Sequence, residues 1–229
     1  AYTVDANQEV YALLDFEDTA EFENATKGQS ASPDTLDIYD ENGKLVWSQT
    51  AYAFLDQDAP DTANPSLWRD TQLNHIYGLF EVTDGIYQVR GYDMSNVTFI
   101  KGDTGWIVVD PLMSVECAQA ALALVEENLG TFPVKAVIYS HSHVDHFGGV
   151  KGIVSEEEVQ AGNVQVIAPE GFEKHAVSEN IYAGTAMGRR ASYQYGTMLE
   201  GGETGSLAIG IDMGQSKGST SYISPTLEI

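Results

Sequence analysis

The sequence predicts an α/β fold, and three observations in its second part support this class. From residue 79 onward, short apolar segments of strand length follow one another and are separated by glycines. Residues 116–129 then have the spacing of an amphipathic helix, between two continuously apolar segments at 106–109 and 134–139. Polar residues follow both apolar segments, and this pattern is typical of α/β proteins with functional side chains at the C-terminal ends of strands.

The first part of the chain predicts an extension made of helices and a hairpin. Its elements are, in order, one or two helices within 1–30, a polar break at 28–33, short strands at 36–39 and 45–47, and a helix at 67–79. Asn42-Gly43 lies between the two short strands and is the preferred signal for a type I′ turn. We therefore expect an N-terminal extension over residues 1–78, packed on a main domain over residues 79–229.

The main domain begins with a series of short strands. The predicted strands are 80–82, 86–89, 97–100, 106–109, 134–139 and 164–168. Gly85 and Gly91 separate the first three, and Gly130 ends the predicted helix that precedes the fifth. The strand at 106–109 ends in Asp110, and the strand at 134–139 leads into a cluster of histidines.

The composition excludes several classes of function. The chain has 34 acidic and 11 basic residues among 229, for a net charge of −23, and such a surface repels the phosphates of nucleic acids. No segment approaches the ~18 consecutive apolar residues of a membrane span. The single cysteine, Cys117, falls on the apolar side of a predicted helix, where a buried small side chain is expected. The composition therefore favours an acidic enzyme without a nucleic-acid partner.

The histidine cluster predicts a metal site. His141, His143, Asp145 and His146 fall within six residues, directly after the predicted strand at 134–139. Imidazole and carboxylate groups are standard ligands of zinc and similar metals. His141 and His143 can reach one ion, and Asp145 and His146 can reach a second. A pair of metals that share one water would supply a hydroxide nucleophile near neutral pH.

The other two histidines are weaker candidates for ligands. His75 lies in the helix before the first strand of the main domain, and we expect it to be structural or to support a ligand. His175 lies on a helical pattern, and we expect it not to bind metal.

The cluster, together with the strand-terminal Asp110, resembles the HxHxDH signature of the metallo-β-lactamase fold. The wider sequence is similar to the alkylsulfatases that hydrolyse sodium dodecyl sulfate and related esters. The segments that carry this similarity are 64–69, 78–82, 86–91, 95–100, 146–152, 175–180, 182–184 and 189–192. The resemblance covers the chain from about Asn7 to its end.

The resemblance implies an αββα sandwich, of which this chain would supply the N-terminal half to two-thirds. It implies a hydrolase with two zinc ions, one bound by His141 and His143 and the other by Asp145 and His146, with Asp145 also taking a catalytic role. In this family a metal-activated water is thought to attack carbon, so that a primary alkyl sulfate yields an alcohol and inorganic sulfate.

The resemblance also directs attention to residues that could contact the substrate. Arg189 and Arg190 are local candidates to stabilise the charge that develops on the departing sulfate. Surface or interdomain ion pairing explains them equally well. Asn96 and Tyr182 could line the pocket, although packing at strand ends accounts for them nearly as well.

The alkylsulfatases take two further carboxylate ligands and one further histidine from a part of the fold that follows residue 229. We therefore expect a missing C-terminal portion or a complementary chain, and a homodimer as in that family. A periplasmic or secreted location is also expected, from the family and from a first residue that is not Met. Two alternatives stay open, namely another hydrolase of the same fold, such as a thioesterase or lactonase, and a metal-binding fragment or subunit without turnover.

Overall fold

The computed structural model describes residues 2–229, which form six α-helices and ten strands. The helices are α1 (Tyr2–Val10), α2 (Ala20–Thr26), α3 (Pro65–Asn74), α4 (Val115–Leu129), α5 (Glu156–Gln160) and α6 (Phe172–Gln194). The strands are β1 (Gln29–Ala31), β2 (Asp37–Tyr39), β3 (Leu45–Ser48), β4 (Gly78–Thr83), β5 (Ile86–Arg90), β6 (Val97–Lys101), β7 (Trp106–Val109), β8 (Val134–Ile138), β9 (Gln165–Ala168) and β10 (Leu227–Glu228). Short 3₁₀ turns occur at Thr50–Asp56, Val144–His146 and Val150–Gly152.

Eight of the strands form one mixed sheet, which confirms the predicted α/β class. Its order is β1-β4-β5-β6-β7-β8-β9-β10, while β2 and β3 form a separate hairpin. The strands from β1 to β7 are antiparallel, and those from β7 to β10 are parallel. The connection from β7 to β8 runs through α4, as parallel neighbours require. The C-terminal ends of β7 and β8 therefore lie next to each other at one edge of the sheet.

The core lies on one face of this sheet. The register places Phe99 opposite Val108, and Val137 opposite Val166, and all four side chains are fully buried. They belong to one core with the inner side of α4, where Cys117 is also fully buried, as predicted. Alternate residues along these strands point to the opposite face, where the side chains are only partly buried.

The N-terminal segment is tied to the sheet at several points. β1 pairs with β4 and so forms an edge of the main sheet, although its polar sequence predicts only a break. The indole Nε1 of Trp47 donates to the carbonyl of Gly91 at 2.9 Å and fixes the hairpin near the end of β5. The division into an extension and a main domain at residue 78 stays a prediction.

The turn of the hairpin differs from the predicted type I′. That turn requires positive φ at both central residues, but Gly43 alone has it, at 77°, while Asn42 does not. A longer turn forms instead, in which the carboxylate of Asp40 accepts from the backbone N–H of Asn42 at 2.9 Å and of Lys44 at 2.8 Å. The local side-chain hydrogen bonds of Asp40 therefore select the turn.

Along residues 2–229, every helix is too short or too polar to span a bilayer.

Candidate metal centre

The predicted ligands lie on one compact loop after β8. The chain leaves the strand through Tyr139 and Ser140 and closes into the 3₁₀ turn Val144–His146. Within this turn the N–H of His146 donates to the carbonyl of His143 at 3.0 Å. The backbone therefore folds back on itself and brings residues 141 and 146 side by side.

The side chains of the four predicted ligands meet in the structure. The ring centroid of His141 lies 4.7 Å from that of His143 and 4.1 Å from that of His146. The Nε2 atom of His146 lies 3.0 Å from Oδ2 of Asp145. Three imidazoles and a carboxylate are thus concentrated in one place, as the spacing in the sequence indicates.

Asp110 joins this cluster from the end of β7. Its carboxylate accepts from the Nδ1 atom of His146 at 2.9 Å, from the backbone N–H of Ser140 at 2.8 Å, and from the Ser140 hydroxyl at 2.6 Å. The backbone of Asp110 has a φ of 56°, a conformation that is unfavourable for a residue other than glycine and is often found at functional sites. Asp110 therefore orients His146 through the nitrogen that a metal at Nε2 would leave free.

The charges of the cluster shift the pKa values of its members. Burial alone would lower the pKa of His146, but hydrogen bonds to Asp110 and Asp145 raise it to about 9. The pKa values of these two carboxyl groups are lowered, because their contacts with His146 and their local hydrogen bonds outweigh burial. The pKa of His141 is lowered by burial and by the neighbouring imidazoles of His146 and His143. The protonation states of these four side chains therefore depend on one another.

Glycines allow the ligand loop to pack tightly on the segment that follows β7. A Cβ atom on Gly148 would collide with the carbonyl of Met113, and one on Gly149 with the carbonyls of Pro111 and Ser114. The N–H of Gly149 instead donates to the carbonyl of Leu112 at 2.9 Å. The close approach holds the ligand loop against the end of β7, where Asp110 lies.

A second support comes from the loop between β5 and β6. The hydroxyl of Ser95 donates to the backbone carbonyl of Asp145. Two residues earlier, the fully buried carboxylate of Asp93 accepts from the N–H groups of Met113 at 3.2 Å and Ser114 at 3.3 Å, and from the Ser216 hydroxyl at 2.8 Å. Asp93 thereby joins its own loop to the segment that follows β7 and to the segment around Ser216. Neither Ser95 nor Asp93 was expected from the sequence, because only the tertiary contacts distinguish them from other loop residues.

The residues predicted to contact a substrate lie in two places. Asn96 is exposed in the loop directly before β6, next to Ser95. Tyr182, Arg189 and Arg190 lie on α6, and all three are exposed, Tyr182 to 89%. The structure thus places Asn96 beside a residue that contacts the ligand loop, and the roles of all four stay predictions.

The two remaining histidines lie outside the cluster. The Nδ1 atom of His75 is 2.8 Å from the side-chain oxygen of Gln49, and burial lowers the pKa of this imidazole. His175 is exposed in the first turn of α6.

The donor chemistry of the loop fits zinc, whereas the side-chain arrangement does not yet surround an ion. As they stand, no three or more His, Cys, Asp or Glu side chains within residues 2–229 form a group that could hold a metal. His146 Nε2 and Asp145 Oδ2, two atoms that would each bind metal, lie 3.0 Å apart and are directed at each other. The residue types match the preferences of zinc, and a change in side-chain rotamers would be needed for binding.

Comparison with known proteins connects this site to one family. A family model described as the metallo-beta-lactamase superfamily matches residues 90–214, which include the whole ligand loop and Asp110. A linear primary-alkylsulfatase from Pseudomonas sp. is 50% identical over 223 residues, which cover 96% of this chain and 33% of the relative. An alkyl/aryl-sulfatase from Saccharomyces cerevisiae is 47% identical over 228 residues, which cover 99% of this chain and 35% of the relative.

A solved structure supports the same relationship. The stereoselective inverting sec-alkylsulfatase from Pseudomonas sp. superimposes with a TM-score of 0.92 at 47% identity, over 100% of this chain and 36% of that chain. The chain thus spans about a third of the length of the relatives it matches.

Proposed function

Because this chain belongs to the metallo-β-lactamase superfamily, we propose that it is part of an enzyme that hydrolyses primary alkyl sulfate esters to an alcohol and inorganic sulfate. One observation carries the proposal: His141, His143, Asp145 and His146 meet at the edge of the sheet where Asp110 orients His146. The choice of substrate is supported by relatives near 50% identity that are named alkylsulfatases.

The superfamily implies metal ions, and we propose two zinc ions for this site. His141 and His143 would hold one, and Asp145 and His146 the other. When bound, the metals would supply the acidity that makes water a nucleophile near neutral pH. Catalytic zinc sites commonly have three protein ligands, so two ligands per ion leave each set short. We assign the remaining ligands to polypeptide outside these 229 residues.

The residues of this chain would prepare the site for that chemistry. Asp110 accepts the Nδ1–H of His146, which fixes the orientation of the ring and places Nε2 beside Asp145. Asp145 is proposed as the residue that combines a ligand's role with a catalytic one. Ser95 holds the backbone of Asp145 in place from a neighbouring loop. In the reaction, water forms a bond to the alkyl carbon and loses a proton to the solvent, the carbon–oxygen bond of the ester breaks, and sulfate leaves with the bonding electrons.

Further parts of the proposal rest on the resemblance to alkylsulfatases. Asn96 and Tyr182 are proposed to line the substrate site, with Arg189 and Arg190 near the sulfate. The exposure of Tyr182, Arg189 and Arg190 on α6 gives these three no support beyond the resemblance. A homodimer and a periplasmic or secreted location are proposed on the same ground.

The proposal is tested by sulfate release from sodium dodecyl sulfate, measured on the protein with any polypeptide that copurifies with it, as identified by native mass spectrometry. We expect release that stops after treatment with a chelator and returns with zinc. In ¹⁸O-labelled water, attack at carbon places the label in the alcohol, whereas attack at sulfur would place it in the sulfate.

Two variants make the assay specific to the ligand loop. His141→Ala should abolish sulfate release, while His175→Ala, a matched change of an exposed histidine, should leave it intact. Release that survives chelation would refute the metal mechanism. Faster cleavage of a dodecanoyl thioester or a lactone would favour another hydrolase of the same fold. Metal binding without turnover of any ester would favour a non-catalytic subunit.

A further inference from the structure

A groove of about 440 Å³ lies between the β2–β3 hairpin and α4. Its floor is apolar, because Leu36 and Ile38 at β2 and Leu124 on α4 all line it and are buried. None of residues 141–146 lines this groove, so it is separate from the metal centre. Its chemistry is therefore a different question from the hydrolysis of an ester.

One face of α4 carries a carboxylate toward each end of the groove. Glu116 and Glu127 both line it and are about three helical turns apart, so their backbones lie on the same face of the helix, roughly 16 Å from each other. Ala120 and Ala123 line the groove between them, and their small side chains leave the floor accessible. The Oε2 atom of Glu116 accepts from the N–H of Ser219 at 2.8 Å, and its second oxygen stays free for a ligand.

The carboxylates of the groove have no positive partner in the described chain. Asp37 on β2 adds a third carboxylate to the lining. Within residues 2–229, none of Asp37, Glu116 and Glu127 forms an ion pair, and neither lysine nor arginine lines the groove. Lysine side chains show the type of molecule that fits such a surface, since their methylene groups lie on apolar residues while the ammonium group meets a charge or water. The groove therefore suits an apolar chain with cationic ends.

Tyr92 gives independent support for a ligand in this groove. Its side chain lines the groove and is only 3% exposed. The hydroxyl has no hydrogen-bond partner among residues 2–229, and it is not fully enclosed by protein atoms, so it faces the groove. Burial raises the pKa of this phenol, and the nearby Tyr77 and Glu127 act in the same direction, which places the hydroxyl toward the Glu127 end. Buried tyrosine hydroxyls usually have a partner, and an ammonium group in the groove would supply the missing donor.

We propose that this groove binds a linear aliphatic diamine, with one ammonium group at Glu116 and the other between Glu127 and Tyr92. The methylene chain would lie on the apolar floor, beside the two alanines of α4. An extended α,ω-diaminododecane places its ammonium groups about 16 Å apart, which matches the spacing of the two glutamates along the helix. The site does not depend on the proposed function, because the groove and the ligand loop share no residue.

The test is isothermal titration with α,ω-diaminododecane at pH 7 and constant ionic strength, on the protein with any polypeptide that copurifies with it. Glu116→Gln and Glu127→Gln should each weaken binding about three- to fivefold, as expected for the loss of one solvent-accessible ion pair. Tyr92→Phe should weaken it about three- to tenfold, because the variant keeps the ring and removes only the hydrogen-bonding group. Diaminobutane, which is too short to span the groove, should bind more than about tenfold more weakly to the wild type.

Two matched controls distinguish this groove from the general negative charge of the protein. Glu157→Gln removes an exposed carboxylate from α5, and Tyr193→Phe removes the hydroxyl of a tyrosine on α6 that is 92% exposed. Both variants should bind the diamine as the wild type does. Circular dichroism and the melting temperature of each variant exclude folding defects, and glutamine at position 116 still offers an acceptor to the N–H of Ser219.

The outcomes decide the proposal without reference to turnover. No binding of the diamine by the wild type, or equal affinity of the wild type and the folded groove variants, would overturn the site. The same loss in Glu157→Gln as in Glu127→Gln would attribute the binding to net charge and would overturn it as well. Tighter binding of an oligolysine peptide than of the diamine, with the same dependence on Tyr92, would replace the small molecule by a basic polypeptide. Because sulfate release is measured separately, the failure of either proposal leaves the other standing.

Discussion

Replacing Asp212 by asparagine should change how the stability of the protein depends on pH. The side chain is 7% exposed, and burial raises its pKa from 3.8 to about 8. The folded state therefore favours the protonated carboxyl. The stability that the protonated carboxyl contributes is fully present below the unfolded pKa near 4, and it is lost as the pH rises to about 8. Asparagine keeps the acceptor for the N–H of Met213, at 2.5 Å in the structure, but does not titrate.

The size of the effect follows from the width of the pH window. Between the two pKa values, the unfolding free energy falls by about 1.4 kcal/mol for each unit of rising pH because of this one carboxyl. From pH 5 to pH 7, the wild type should thus lose about 3 kcal/mol more than Asp212→Asn. At pH 5 the two proteins should be similar, and at pH 8 the variant should be the more stable.

Urea unfolding followed by tryptophan fluorescence at pH 5, 6, 7 and 8 measures this difference directly. Asp103→Asn, a change of an exposed carboxylate in the turn after β6, serves as the matched control and should follow the wild type within about 0.5 kcal/mol. If the wild type and Asp212→Asn have parallel profiles from pH 5 to pH 8, the buried carboxyl does not titrate in this range and the reasoning fails.

Three further predictions concern the metal centre and its support. Asp110→Asn should weaken zinc binding about 10- to 100-fold in competition with a chelating dye, because the carboxylate that orients His146 loses its charge. A change in zinc affinity below threefold would contradict this. The zinc affinity of the wild type should rise about tenfold per pH unit toward pH 9, because the pKa of His146 is about 9 and its proton must leave before zinc binds. A flat affinity profile from pH 6 to 8 would show that His146 is not a ligand. Gly149→Ala should lower the unfolding free energy by more than about 2 kcal/mol, because a Cβ would collide with the carbonyl of Pro111. Gly188→Ala on α6, where a Cβ meets open space, should instead stabilise the protein by about 0.5–1 kcal/mol, and equal effects of the two changes in a thermal melt would refute the packing argument.

Much of the fold was predictable because its signals are local. Short apolar segments separated by turn residues located β4 to β9, and the helical spacing of residues 116–129 located α4 within one residue at its start. β1 was missed because its sequence, Gln29–Ala31, has no strand pattern and becomes a strand only by pairing with the edge of β4. The turn of the hairpin was assigned wrongly because the hydrogen bonds of Asp40 override the preference of Asn42-Gly43.

The candidate site divides in the same way. The sequence alone predicts the ligands His141, His143, Asp145 and His146, because they are close neighbours whose donor chemistry does not depend on the rest of the fold. Their role as ligands stays a prediction. The segment 141–146 also carries the superfamily assignment, which the match over residues 90–214 confirms.

Only the tertiary structure decided which residues surround the segment 141–146. Asp110 reaches His146 because β7 and β8 are parallel neighbours, and Ser95 reaches Asp145 because β6 lies beside β7. A short motif determines its own chemistry through covalent neighbours, whereas the groups that orient it, support it and complete it are brought together by strand pairing between distant parts of the chain.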